Sequence, residues 1–287
     1  MTRERIRLAV PNKGRLLEPT IELLRAAGLA FEDHDRSLVA RVANHPLDIL
    51  FVRTGDVIEF VRDGVADAGI TGEDLLAESG IDLPRLRALG YGRCRLAAAV
   101  PTDAAAERVE DLGGQRVATA HPRTTAGFFA GRGISVEVIA LSGAVEVAPR
   151  LGLADAIVDL VATGSTLALN GLRQIGDLLS SEAVLVGGPD ATAATTERLA
   201  AVDSMLAAVI AARGRKYLMM NAPAERLPVL EDLLPGLESP SVIPLAHSGM
   251  IAIHSVVDAD AVWGLLPRLR SAGASGILVL PIEKLVP

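Results

Sequence analysis

Residues 155–166, Asp-Ala-Ile-Val-Asp-Leu-Val-Ala-Thr-Gly-Ser-Thr, carry an apolar run with two acids, Asp155 and Asp159, into a small hydroxyl-rich loop. A helix-compatible segment over 167–172 follows. Ala162, Thr163, Gly164, Ser165 and Thr166 let backbone N–H groups close on an anion, and a following helix N-terminus adds its positive dipole end. Asp159, four residues before Thr163, is placed to accept hydrogen bonds from sugar hydroxyls beside that anion. Phosphate cradle plus ribose acceptor is the chemistry a phosphoribosyl-diphosphate site requires. The same residues would also serve a plain strand-to-helix turn.

A second cluster, Pro11-Asn12-Lys13-Gly14-Arg15, lies between a strand pattern and a helix pattern. Ligands of open α/β sheets sit outside the carboxyl ends of the strands, so this turn is well placed. Lys13 offers a point charge and Arg15 a bidentate fork, both suited to pyrophosphate, although two solvated surface cations read the same way. Lysine occurs only at Lys13, Lys216 and Lys284, which makes the first stand out in an arginine-rich chain. Gly72-Glu73-Asp74-Leu75 opens another helix, where Asp74 either caps the helix or faces a ligand. Glu146, in Ser142-Gly143-Ala144-Val145-Glu146, and Arg53, at a strand end, carry the same two readings.

The elements that would position these residues alternate between strand and helix, which argues for an α/β protein. Strands are expected over 6–10, 37–43, 48–52 and 66–71, with helices over 16–28, from 56 to about 64, and over 75–79. Tyr91, between Gly90 and Gly92, marks a crossing into a second unit. That unit has strands over 95–100, 116–120 and 136–141, helices over 104–112, 125–132 and 145–151, and then the strand carrying Asp155 and Asp159. A strand over 183–186 can return to the first unit, giving two lobes joined by two crossings and a cleft between them. A helix over 192–213 ends at Gly214. Strand 217–220, helix 225–234, hairpin 242–246 with 251–257, helix 260–271 and strand 276–281 give the ferredoxin-like βαββαβ order. The expected domains are 1–90 with 180–211, then 91–179, then a C-terminal module over 212–287.

Composition narrows the classes. Half of the 287 residues are hydrophobic and 3% aromatic, so the core must be aliphatic, as in parallel sheets covered on both faces. A net charge of -7 argues against nucleic acid as a partner. No apolar run reaches the ~18 residues of a membrane helix, and the N-terminus lacks a signal-peptide apolar core, so a cytoplasmic protein is expected. The single cysteine, Cys94, excludes an internal disulfide and reads as a buried structural thiol. His34, His45, His121, His247 and His254 lack metal-ligand spacing and read as structural or solvated. There is no P-loop and no strand-following Gly-x-Gly-x-x-Gly. Any metal is expected to be Mg²⁺ carried on a substrate pyrophosphate rather than held by the protein alone.

Residues 10–16, 69–75, 155–172 and 272–278 together resemble the ATP phosphoribosyltransferase family in its long form. The resemblance covers essentially the whole chain. It implies a two-lobed catalytic region like periplasmic binding proteins, followed by a regulatory ferredoxin-like domain. The implied reaction displaces pyrophosphate at ribose C1 by N1 of ATP, the first step of histidine biosynthesis. Lys13 and Arg15 would then stabilise the departing pyrophosphate with Mg²⁺. Asp155, Asp159 and residues 162–166 would bind phosphoribosyl diphosphate, and Arg53, Asp74, Leu75 and Glu146 the adenine nucleotide. Asn221, Ser241, Val256 and Gly276 match the family's histidine-binding region. The resemblance also implies histidine and AMP as inhibitors and a homo-oligomer, a dimer or hexamer. The sequence departs from it at Ala168-Leu169, where Arg-Ala is expected, and at Asn221, where some relatives carry an acid. Two rival classes are a solute-binding module and an amino-acid sensor built on the C-terminal unit.

Overall fold

A computed structural model describes residues 4–32, 38–189, 192–234 and 239–286. His34 and the expected strand start at Ser37 lie outside these. The chain divides into two compact units, Met1–Asp203 and Ser204–Pro287.

The first unit opens with β1 (Ile6–Pro11), α1 (Leu17–Ala26), β2 (Val39–Arg41), β3 (Leu47–Val52), α2 (Asp56–Arg62), β4 (Ala68–Gly72), α3 (Glu73–Ser79) and β5 (Arg85–Ala88). It continues with β6 (Cys94–Pro101), β7 (Arg116–Thr119), α4 (Pro122–Ala130), β8 (Glu137–Ala140), β9 (Ala156–Val161), α5 (Ser165–Leu169), β10 (Leu172–Ser181) and β11 (Ala183–Gly187). Two sheets result, in the orders β2-β3-β1-β4-β11-β5 and β10-β6-β9-β7-β8. In the first, β1 runs parallel to β3 and β4. Leu8, Ile49 and Ile70 are fully buried in strands that read as continuous apolar runs, as sheets covered on both faces require. In the second, β7 runs parallel to β8 and β9, while β6 runs antiparallel to β9 and β10.

The chain passes between the lobes twice, at 89–93 and at Glu182, and the two passages are hydrogen-bonded side by side. Leu89 N–H donates to the Ala183 carbonyl and Ala183 N–H to the Tyr91 carbonyl, each at 2.9 Å. Gly92 has φ +63°, and a β-carbon there would run into the Leu16 side chain, so only glycine lets this strand pass.

α6 (Ala193–Ala212) spans the division between the units. The second unit then forms β12 (Arg215–Pro223), α7 (Leu227–Leu233), β13 (Ser241–Pro244), β14 (Met250–Asp258), α8 (Val262–Ser271) and β15 (Ser275–Pro281). All neighbours are antiparallel in the order β13-β14-β12-β15, the ferredoxin-like arrangement. Leu218, Met220, Ala222, Ile251 and Ile253 pack on Leu230, Leu265 and Leu269 of the helices. Alternate residues therefore point to the other face, where Ile243, Leu278 and Leu280 are exposed.

Several expectations need correction. The helix expected over 104–112 is only a 3-10 turn at Val109–Leu112. Arg173 donates to the Ala104 and Ala106 carbonyls at 2.8 Å each, and Asp111 accepts from the N–H groups of Glu107 and Arg108, so these backbone groups are held outside a helix. The helix expected over 145–151 shrinks to a 3-10 turn, Val145–Val147, because Pro149 cannot continue it. Residues 170–172 leave the helix after the phosphate-type loop, and Leu172 already begins β10, which sequence reading missed along with β5. β10 shifts register twice, between Gln174 and Gly176 and between Asp177 and Leu179, and these bulges break its alternation. β5, Arg-Leu-Arg-Ala, is a short charged edge strand, so its apolar signal is weak.

Candidate active site

The strand directions bring most of the candidate substrate residues of the first unit to one cleft. The carboxyl ends of β1, β3 and β4 deliver Lys13 and Arg15, Arg53, and Asp74 with Leu75 from the first sheet. The second sheet contributes the carboxyl ends of β7, β8, β9 and β10 and the start of β6 to the same edge. These hold His121, Glu146, the loop 162–166, Ser181 and Cys94.

Asp74 is the organising group, with only 1% of the residue exposed. The Ser181 hydroxyl donates to its Oδ1 at 2.5 Å and the Arg15 guanidinium at 3.0 Å, while Asp74 N–H donates to Ser181 Oγ at 3.1 Å. His121 Nε2 stands 3.6 Å from Oδ2, a contact longer than a hydrogen bond. Burial opposes ionisation of Asp74, yet His121, Ser181 and the Arg15 charge together outweigh it and hold the carboxyl below the usual range. Gly72 makes room for this, since a β-carbon there would collide with Asp74 Oδ1. Arg15 also contacts the sulfur of Cys94, which is buried as expected. Asp74 does not cap α3, whose N-cap is Gly72 without a side-chain cap bond; its carboxylate instead ties one lobe to the other.

The loop after β9 is exposed at Ala162, Thr163, Ser165 and Thr166 and turns through Gly164 at φ +83°, a left-handed position suited to glycine. Thr163 Oγ1 and Ser165 Oγ share a hydrogen bond of 3.0 Å. Asp159 is half-buried, accepts from Leu160 N–H at 2.7 Å, and has its proton affinity raised first by burial and then by the Glu146 charge. Two carboxylates in mutual repulsion at a cleft are suited to sugar hydroxyls or a shared cation. Asp155 is not brought to this group. It lies at the opposite end of β9, where Arg116 grips it through its backbone N–H at 2.9 Å and its guanidinium at 2.8 and 3.2 Å. An Arg-paired acid before the strand is an anchor for β7 against β9, and Asp155 therefore lies away from the loop expected to bind phosphoribosyl diphosphate. Leu169, one of the departures, is 87% exposed on α5.

Sequence reading missed three polar groups here. Asn12 Oδ1, Thr71 Oγ1 and both ring nitrogens of His121 are buried without a hydrogen-bond partner within the described protein. Such atoms are expected to find one in water or a ligand. Thr71 lies near the end of buried β4 and His121 two residues beyond buried β7, and polar residues at such strand ends are the signal that could have found them. Lys13 and Arg53 are exposed at the same edge. No three His, Cys, Asp or Glu side chains converge as a metal cage among the described residues.

Comparison with known proteins bears on what this cleft does. The family model described as ATP phosphoribosyltransferase matches residues 53–209, and that described as HisG, C-terminal domain matches 212–284. An ATP phosphoribosyltransferase of Gemmatimonas aurantiaca is 46% identical over 98% of this chain and all of its own. One of Methanococcoides burtonii is 42% identical over 98% of this chain and all of its own. The chain belongs to the ATP phosphoribosyltransferase family. A solved structure, the ATP phosphoribosyl transferase (HisG:HisZ) complex from Thermotoga maritima, is 30% identical with a TM-score of 0.61 and covers 70% of this chain and 95% of its own.

As a member of the ATP phosphoribosyltransferase family the protein is a glycosyltransferase-type enzyme of the first step of histidine biosynthesis. No helix among the described residues is long and apolar enough to cross a membrane. In the C-terminal unit, Asn221 and Val256 alternate with buried neighbours, and Ser241 pairs with His254, so all three lie on the helix-free sheet face. Gly276, at φ +57°, would bring a β-carbon to 3.4 Å from Asn221 Nδ2. Between them Tyr217 and His254, both missed from sequence, join through Oη and Nδ1 at 2.9 Å.

Proposed function

We propose that the cleft moves the phosphoribosyl group of phosphoribosyl diphosphate onto N1 of ATP, giving phosphoribosyl-ATP and pyrophosphate with inversion at ribose C1. What supports this reading is the meeting, at one cleft, of the Gly164 loop from one lobe with Lys13, Arg15 and the Asp74 cluster from the other. The protein's task is alignment and charge compensation, because N1 already carries the attacking electron pair. In the proposal residues 162–166 receive the 5-phosphate on backbone N–H groups and hydroxyls, and Asp159 accepts from the ribose hydroxyls. Asp74, Leu75, Glu146 and Arg53 receive the adenine nucleotide. Lys13 and Arg15 oppose the charge that grows on departing pyrophosphate. Asp159 and Glu146 are oxygen donors that would hold Mg²⁺ together with substrate phosphates, where the ion would neutralise pyrophosphate charge.

Histidine feedback on the open face around Asn221, Ser241, Val256 and Gly276, inhibition by AMP, and a cytoplasmic homo-oligomer complete the proposal. The experiment is to mix full-length protein with ATP, phosphoribosyl diphosphate and Mg²⁺, following phosphoribosyl-ATP absorbance and pyrophosphate release, with and without histidine. Binding of both substrates without product would overturn the reaction and favour a solute-binding role. An unchanged rate with saturating histidine would overturn the regulatory part.

A further inference from the structure

Four residues beyond Asp74, and so on the same side of α3, Glu78 reaches from the first lobe to the second. Its carboxylate accepts from the N–H groups of Arg123 and Thr124, each at 2.9 Å, and from the Thr124 hydroxyl at 2.8 Å. These are donors of the first turn of α4, left open by the helix and favourable to negative charge. Within α4 no side chain of its own N-cap residue, His121, fills that place. The return contact comes from Arg123. Its guanidinium lies against Gly80, the left-handed C-cap of α3 at φ +65°, where a β-carbon would run into it. A cation there meets the negative end of α3. Glu78 of one lobe thus caps α4 of the other, and Arg123 packs back against the end of α3, outside the residues assigned to substrates.

We propose that Glu78 and Arg123 are positioning residues: a latch that holds the two lobes in the register in which the Asp74 cluster and the loop 162–166 face the same cleft. The inference rests on the reading of that cleft as the site for both substrates. Lobes hinged at the Gly90 and Gly92 passages exchange between open and closed states, and the latch raises the closed fraction. A ligand that needs the closed state binds more weakly in proportion as that fraction falls. Every ligand that needs it is affected by the same factor, which a purely local role of Glu78 would not produce.

The test is calorimetric titration of full-length protein with ATP alone and with phosphoribosyl diphosphate alone, for wild type, Glu78→Ala, Glu78→Gln and Arg123→Ala. Glu78→Ala is expected to weaken both affinities by one common factor of roughly five to thirty. Glu78→Gln keeps an oxygen acceptor without the charge and should fall between. Arg123→Ala, which leaves the backbone donors in place, should weaken both by a smaller common factor and carries the test if Glu78→Ala fails to fold. Weakening of one ligand only, or of neither, overturns the latch. Wild-type protein that binds neither ligand overturns the reading of the cleft itself, a result distinct from failure of the latch.

Discussion

Replacing Asp74 with alanine removes a carboxylate whose side chain is only 2% exposed and which holds groups from both lobes. The Ser181 hydroxyl donates to it at 2.5 Å, a charge-assisted bond in a buried setting, worth about 1.5–3 kcal/mol. Arg15 adds little to stability, because its side chain is 37% exposed and solvent screens such a pair to about 0–1 kcal/mol. Relief of the buried charge offsets part of the loss, so the net cost is about 2 kcal/mol. For a unit of this size that lowers the melting temperature by roughly 4–8 °C. The sign with pH follows from the lowered Asp74 carboxyl. Its contribution is present above the unfolded carboxyl value of about 3.8 and is lost as pH falls through the folded one. Thermal melts of wild type, Asp74→Ala, Ser181→Ala and the double variant give a coupling energy, expected at about 1 kcal/mol or more at neutral pH and shrinking in acid. Additive single effects, or a coupling that grows in acid, would refute this account of the cluster.

Three further outcomes are expected. Asp159→Asn should stabilise the protein at neutral pH by roughly 0.5–1 kcal/mol while impairing turnover. The reason is that its folded carboxyl is raised, so its stabilising share is full below the unfolded value and lost as pH rises through the folded one; melts across pH check it. Gly72→Ala should cost about 1–3 kcal/mol, because its β-carbon would displace Asp74, and denaturant titration would measure it. Lys13→Ala should lower turnover about a hundred- to thousandfold at saturating substrates if Lys13 meets charge on the leaving pyrophosphate; unchanged rates and affinities would remove it from the mechanism.

Much of this was legible because the sequence carries strong local signals. The buried β1, β3, β4 and β9 read as apolar runs ending in small or charged residues, so their carboxyl ends, and hence the cleft residues, could be placed. The βαββαβ order of the second unit follows from alternation and turn residues in the same way. Illegible parts depend on distant partners. Ala104 and Ala106 look helical until Arg173, about seventy residues on, takes their carbonyls. β10 hides behind its bulges, and one of these is where Gly176 lets Val109 approach, since a β-carbon there would come within 2.7 Å. His121 gave no motif, because its importance is the carboxylate opposite it on another lobe. Asp155 misled for the same reason, since only the fold shows Arg116 beside it.

The charge balance of the cleft ties these observations together. Asp74, Asp159 and Glu146 are three acids at a site proposed to take two polyanions, in a chain whose net charge is already -7. Left alone they would repel both substrates. Asp74 is compensated from within, by Arg15 and the Ser181 hydroxyl, and so stays ionised and fixed. Asp159 differs: burial first, and then the Glu146 charge, raise its proton affinity, and no cation among the described residues pairs with it. Lys13 and Arg53 stay exposed at the first lobe's edge, and Ser165 and Thr166 at the start of α5 are exposed as well. The first turn of α4, which would otherwise be another anion seat, is filled by Glu78. With Glu78 occupying that turn, the phosphate in the proposed reading is left to the loop 162–166, with Lys13 and Arg53 exposed on the other lobe.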